Sequence, residues 1–188
     1  MQITDKKIIS LIKSGGVGVL PTDTLYGLVG SAMDKKTVMQ IYKLKKRTPK
    51  KPCIVLIDRI NDLKKFSIKI GKVEKDILEK FWPGKVSVIL PCLEKKFFYL
   101  HRGTQSLAFR LPKKPSLINI IKKSGPLVAP SANPEGLLPA KNIIEAKKYF
   151  GGEVDFYVDG GKLESKPSTL VILKNGAVKV LRPGAVKI

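Results

Sequence analysis

Short apolar runs alternate along this chain with stretches whose apolar residues repeat at helical spacing, and that alternation leaves few folds open. The runs at Val17–Leu20, Leu25–Val29, Cys53–Ile57, Val86–Pro91, Ser106–Leu111, Pro126–Ala129, Val154–Val158, Thr169–Leu173 and Val178–Leu181 have the length of strands. Helices are expected over Thr4–Gly16, Asp34–Lys45, Arg59–Phe66, Lys72–Phe81, Ser116–Lys123 and Ala140–Phe150, the first with a Thr4 start and a Gly15-Gly16 stop. Cys53–Ile57 is apolar without a break, which predicts a strand buried on both faces. Strands interleaved with helices predict an α/β sheet with helices packed on it. Neither a repeat nor a low-complexity linker divides the chain, so residues 1–188 are read as one domain. A chain of 188 residues buries roughly 70% of its unfolded surface, enough for a full core.

Several classes fall away at once. The longest apolar stretches, such as Val86–Leu90 with Ser87 inside it, are far short of the roughly 20 residues of a membrane helix. Met1–Gly16 mixes charges with Ile and Leu and has no uninterrupted apolar core, so a signal peptide is not expected. Cys53 and Cys92 lie in apolar runs and read as reduced core residues of a cytosolic protein. With His101 as the single histidine they are too few for a structural zinc site. His101 itself, beside Arg102 and Gly103, reads as an exposed loop residue. The motif G-x-x-x-x-G-K-[ST] is absent, Gly16-Val17-Gly18 lacks a third glycine and reads as a turn, and there is no G-x-S-x-G nucleophile elbow. The acidic residues show no recurring spacing that would pair two carboxylates for acid–base work. An enzyme built this way works by positioning charged reactants, which suits chemistry at phosphorus.

Charge supplies the positive signal. Thirty-six basic residues against fifteen acidic ones give a formal net charge of +21, which attracts polyanions. A generic solvated lysine surface explains the same number. The five arginines (Arg47, Arg59, Arg102, Arg110 and Arg182) are more informative, because a guanidinium fork matches phosphate and carboxylate as an ammonium does not. Aromatic residues make up 7% of the chain and do not interleave with the cations, which argues against specific single-strand recognition.

Four segments carry chemistry. Pro21-Thr22-Asp23-Thr24-Leu25-Tyr26-Gly27-Leu28 puts two hydroxyls and a carboxylate at the end of a strand, where open α/β sheets bind ligands; a self-capping Asp/Thr turn accounts for the same letters. Lys43-Leu44-Lys45-Lys46-Arg47 with Lys50 and Lys51 crowds six cations at a helix exit. An extended chain there would let Lys45 and Arg47 project together; the bland alternative is a helix C-terminus that favours cations. Ala129-Pro130-Ser131-Ala132-Asn133-Pro134 brackets a Ser and an Asn with prolines, suited to ribose or phosphate oxygens or simply to a turn. Ser168-Thr169 opens one strand, while Arg182-Pro183-Gly184 and Arg110 close others. Scarce arginines gathered at strand termini suggest convergence on an anion.

Together these segments closely resemble the YrdC-type threonylcarbamoyl-AMP synthases. The match rests on PTDTLYGL at 21–28, Lys45-x-Arg47, PSAN at 130–133, ST at 168–169 and LRPG at 181–184, in the family's order. The resemblance implies a twisted mixed sheet flanked by helices around a positively charged central cavity. It further implies a nucleotidyltransferase that joins L-threonine, bicarbonate and ATP into threonylcarbamoyl-adenylate and pyrophosphate for N6-threonylcarbamoyladenosine in tRNA. Since the chain stops just after RPG, it looks like the short, single-domain form. By position, Thr24, Arg110 and Ser168 would hold threonine, with Arg110 on its carboxylate. Lys45, Arg47, Lys51, Ser106, Ser131, Asn133 and Arg182 would hold ATP, with Lys45 and Arg47 as the catalytic cations. Mg²⁺ is expected to arrive with ATP, with no residue of the chain as a metal ligand and no tightly bound cofactor. Leu56 stands near the strand end where some members of this family have a histidine, Lys51 where long-form members often carry asparagine, and Ser106 where threonine is common. Further expectations are weak binding of tRNA or double-stranded RNA, hand-over to a threonylcarbamoyl transferase complex, a cytoplasmic location and no membrane contact. A carbamoyl-adenylate-forming domain and a non-catalytic RNA-binding module are the competing readings.

Overall fold

The computed structural model describes residues 4–174 and 176–188. Its helices are α1 (Asp5–Lys13), α2 (Lys35–Leu44), α3 (Lys72–Phe81), α4 (Phe98–His101), α5 (Pro115–Ser124) and α6 (Ile143–Phe150). Its strands are β1 (Gly18–Pro21), β2 (Tyr26–Ser31), β3 (Val55–Leu56), β4 (Val86–Pro91), β5 (Ser106–Arg110), β6 (Leu127–Val128), β7 (Phe156–Tyr157), β8 (Thr169–Lys174) and β9 (Ala177–Arg182). Among the described residues the strands form one mixed sheet in the order β7-β1-β2-β6-β3-β5-β4-β8-β9. The β1–β7, β3–β5 and β4–β8 pairs are parallel and the others antiparallel. The first three residues of the segment read as lacking a signal sequence lie outside the described part.

Period-two burial explains the unbroken apolar runs. Val19, Leu28, Val55, Phe109 and Val128 join one core, whereas Leu20, Val29, Leu56 and Leu127 join a second on the opposite face of the sheet. The second core is closed by Ile8 and Ile12 of α1 and by Leu117, Ile120 and Ile121 of α5. Strands β1, β2, β3 and β6 therefore meet a packed layer on both sides. The α1 start is as expected, with the Thr4 hydroxyl accepting from the Lys7 N–H; Asp34 and Asn142 cap α2 and α6 in the same way. No helix is long and apolar enough to cross a membrane among the described residues.

Four local expectations are corrected. Arg59–Phe66 is a 3-10 helix over Ile60–Phe66; its three-residue turn aims both Leu63 and Phe66 into the core. Cys53–Ile57 keeps only Val55–Leu56 as strand, although Ala129 N–H still donates to Ile54 O and Ile57 N–H to Arg110 O. Gly18 is not in a turn but opens β1, because the Phe156 ring fills the space a side chain would need. His101 is buried rather than exposed: α4 folds its ring edge-on to Phe98 at 5.7 Å, and its Nδ1 accepts from the Gly103 N–H. Cys53 and Cys92 are buried free thiols, and burial pushes both thiols up from their ordinary value.

Candidate functional site

The face of the sheet that α1 and α5 cover at one end is open at the other. By strand register, Ile54, Ser87, Ile89, Ala108, Arg110 and Leu170 share this face, opposite Val55, Val88, Phe109 and Val171 of the first core. Two adjoining cavities lie there. One, of about 220 Å³, is lined among others by Thr22, Thr24, Arg110, Ser131, Ser168 and Arg182. Its neighbour, of about 350 Å³, is lined by Arg47, Thr104, Ser106, Ser131, Leu170 and Arg182 among others. Ile54, Pro130, Ser131 and Arg182 border both, so the pair forms one site with two compartments, within the usual small-molecule range of ~300–1,000 Å³.

Local folding sets the smaller compartment. Thr22 builds a turn with its own hydroxyl, which accepts from the Thr24 and Leu25 N–H groups and donates to Leu25 O at 2.7 Å. The Thr22 and Thr24 hydroxyl oxygens lie 3.1 Å apart. The Thr24 oxygen in turn accepts from Arg110 Nη1 at 3.0 Å. Arg110 Nη2 pairs with the Asp23 carboxylate at 3.2 Å, and Asp23 also accepts from the Lys113 N–H. Arg110 Nε is buried without a partner. Burial lowers the Arg110 pKa, Asp23 opposes that, and the like charge of Arg182 adds to it. A guanidinium stays charged regardless; Asp23 balances Arg110, but Arg182 brings a second positive charge to the cavity, which an anion would offset.

Arg182 reaches the site because the chain doubles back tightly. Gly184 packs so close to Pro167 O and the Thr169 N that a Cβ would overlap them, and Arg182 Nη2 donates to Ser168 O at 2.9 Å. The arginines at the ends of β5 and β9 thus converge as expected from their positions at strand termini.

The cationic segment behaves differently. Lys45 closes α2 in helical geometry (φ −76°, ψ −9°) and Lys46 is left-handed (φ 48°), so the extended chain expected to align Lys45 with Arg47 does not form. Instead Lys45 turns inward, 2% exposed, and its Nζ donates to Ser131 O at 2.5 Å and Asn133 O at 2.6 Å. Burial, with the charge of Arg47 added, brings the Lys45 ammonium down to about 8. Arg47 lines the larger compartment while donating to Lys51 O and Pro52 O. Asn133 is likewise turned away from the cavities, its amide donating to Pro134 O and Leu137 O. Lys51 is exposed and paired with Glu135 at 2.5 Å. The Glu135 carboxylate also accepts from the Thr48 N–H, and these two bonds hold it well below the usual carboxylate range, at about 2.

Of the ten residues expected at the site, Thr24, Arg47, Ser106, Arg110, Ser131, Ser168 and Arg182 therefore line the compartments. Lys45, Lys51 and Asn133 do not; they clasp the 45–51 and 130–135 segments together. Leu56, at the position noted for histidine, belongs to the second core. Thr22 and Asp23 are marked in the sequence only as part of a segment, without roles of their own, and Ser87 is not marked as a site residue. The first two sit inside the PTDTLYGL segment, and Ser87 was visible as a polar break in an apolar run.

A model of the Sua5/YciO/YrdC family, described as "Telomere recombination", matches residues 10–184. The chain belongs to the Sua5/YciO/YrdC family. It is 29% identical over 179 residues to a putative threonylcarbamoyl-AMP synthase of Mycobacterium tuberculosis, covering 95% of this chain and 82% of that one. Over 177 residues it is 30% identical to the threonylcarbamoyl-AMP synthase of Hahella chejuensis, covering 92% and 95%. Its fold matches the crystal structure of P. abyssi Sua5 complexed with L-threonine at a TM-score of 0.88 and 28% identity, over 98% of this chain. It spans just over half of that Sua5 chain, 56%. This Sua5/YciO/YrdC sheet, mixed and flanked by helices, is the architecture expected from the motifs.

Proposed function

We propose that this chain is an L-threonylcarbamoyladenylate synthase, making threonylcarbamoyl-AMP and pyrophosphate from L-threonine, bicarbonate and ATP. The observation that carries the reading is the two-compartment site with Arg182 at its waist. One compartment suits an amino acid and the other a nucleotide, and the shared wall brings the two reactants together. The kinship with proteins named threonylcarbamoyl-AMP synthase supports it.

In this reading Arg110 takes the threonine carboxylate, and Thr24 and Ser168 flank the rest of the amino acid. ATP lies along Arg47, Ser106 and Ser131, with Arg182 between the reactants. The threonine amine adds to CO₂ derived from bicarbonate and loses a proton, giving a carbamate. A carbamate oxygen attacks the α-phosphorus, the bond to the bridging oxygen breaks, and pyrophosphate leaves. Arg47 and Arg182 stabilise the charge that develops on the phosphoryl oxygens, and proximity supplies much of the remaining rate. Lys45 and Asn133 act by holding the Ser131 loop in place, and Lys51 by anchoring it through Glu135. Mg²⁺ arrives with ATP in this reading, bound to its phosphates.

The product serves tRNA modification through a downstream transferase in the cytoplasm, a setting that agrees with two free thiols. The net charge of +21 supports weak tRNA binding, which should fall steeply with salt. The deciding experiment incubates purified protein with ATP, Mg²⁺, bicarbonate and labelled threonine. Threonine-dependent pyrophosphate release with labelled adenylate is expected. Pyrophosphate release that ignores threonine but requires carbamoyl phosphate would transfer the assignment to carbamoyl-adenylate formation; no turnover beside tight RNA binding would favour the binding module.

A further inference from the structure

Ser87 breaks the apolar run Val86–Leu90, and it is completely buried. A central strand gains nothing from a serine there, since β-branched residues pack better and burying a hydroxyl is costly. By register it lies on the cavity face of β4 with Ile89. Its Oγ is 2.8 Å from the Oγ of Ser168, and among the described residues it has no other hydrogen-bond partner.

That isolation decides which way the proton runs. A hydroxyl has one proton to donate and two lone pairs to accept with. If Ser168 donated, the Ser87 proton would be buried with no acceptor, at the cost of an unmade hydrogen bond. If Ser87 donates, its proton is satisfied and the Ser168 proton is free to turn into the compartment that Ser168 lines. We infer that Ser87 is a positioning residue that makes Ser168 a hydrogen-bond donor to an oxyanion of the bound amino acid, its carboxylate or its carbamate. The amino-acid compartment therefore presents a donor hydroxyl to an oxyanion, which favours a carboxylate over the corresponding amide. This inference rests on the proposed function, since it takes the compartment to hold an amino acid.

The test measures pyrophosphate release by the full chain as threonine is varied, for wild type, Ser87→Ala, Ser168→Ala and the double variant. Ser87→Ala should raise the threonine KM about threefold, the cost of orienting a hydroxyl left free among three staggered positions, with kcat and the ATP KM little changed. The double variant should match Ser168→Ala, since Ser87 acts only through that hydroxyl. Inhibition by L-threoninamide should strengthen relative to threonine in Ser87→Ala, because a freed Ser168 rotor can also accept. An unchanged threonine KM in Ser87→Ala, or the same KM increase in both backgrounds, would overturn the inference while leaving the proposed function standing. Absence of threonine-dependent release in the wild type would instead overturn the function itself. Should Ser87→Ala fold poorly, Ser87→Cys, of similar size with a weaker donor, takes its place with a smaller rise expected.

Discussion

The two ends of the site hold their cations in opposite ways. At the amino-acid end Arg110 is buried beside Asp23 and Thr24, with Nε unpartnered, and it faces a cavity. At the other end Lys45 is buried just as deeply, but its donors are turned onto the backbone carbonyls of Ser131 and Asn133. Burial lowers the pKa of both groups. What separates them is where the hydrogen bonds go. A buried cation with a donor left over is equipped to bind, whereas one whose donors end on backbone carbonyls is equipped to hold a loop. Residue type therefore misleads at the second end, where lysines that look like phosphate ligands instead clasp one segment to another.

That contrast can be broken most severely at Arg110. Arg110→Lys keeps the charge and loses the fork, and should lower kcat/KM for threonine by about 10²–10³-fold in steady-state kinetics, with the ATP KM little changed. An Arg110→Lys enzyme of near-wild-type efficiency would show that the fork binds nothing. Arg47→Ala comes next. Arg47 lines the larger compartment, so its loss should lower kcat about 10²-fold while the protein keeps its thermal unfolding midpoint. Loss of folding in that variant would instead give Arg47 the same loop-holding role as Lys45.

Lys45→Met should raise the KM of both ATP and threonine, by about tenfold, by loosening the Ser131 loop that borders both compartments. It should also flatten a pH dependence. With a folded value of about 8 against an ordinary 10.5, the unfolded chain binds the extra proton between those values, so wild-type stability should climb as pH rises from about 8 towards 10.5. Denaturant melts of the two proteins across that window measure the difference. The smallest effect is expected at the exposed clasp. Glu135→Gln removes the Lys51 pair and should shift the ATP KM by no more than about fivefold, in line with the modest strength of surface ion pairs.

Much of the fold was legible because its elements are encoded locally. Thr4, Asp34 and Asn142 cap the helices they precede, and the unbroken Cys53–Ile57 run correctly announced burial on both faces even though only Val55–Leu56 pairs as strand. The site was legible where a residue's place on its own strand decides its direction. Arg110 and Arg182 end strands and Ser168 precedes one, and all three reach the cavity. It was illegible where the partner is remote. Lys45 meets Asn133 across 88 residues and Ser87 meets Ser168 across 81, and the buried ring of His101 depends on how α4 packs.

Alternation of apolar runs, caps and strand-end arginines settled which segments become strands and helices and at which strand ends anion-seeking side chains sit, because those properties depend on neighbours a few residues away. Which donors stay free to meet a ligand was settled by tertiary packing alone. A hydrogen bond is made or left open by whatever the fold brings within about 3 Å, and nothing in the local sequence around Lys45 or Ser168 specifies that partner.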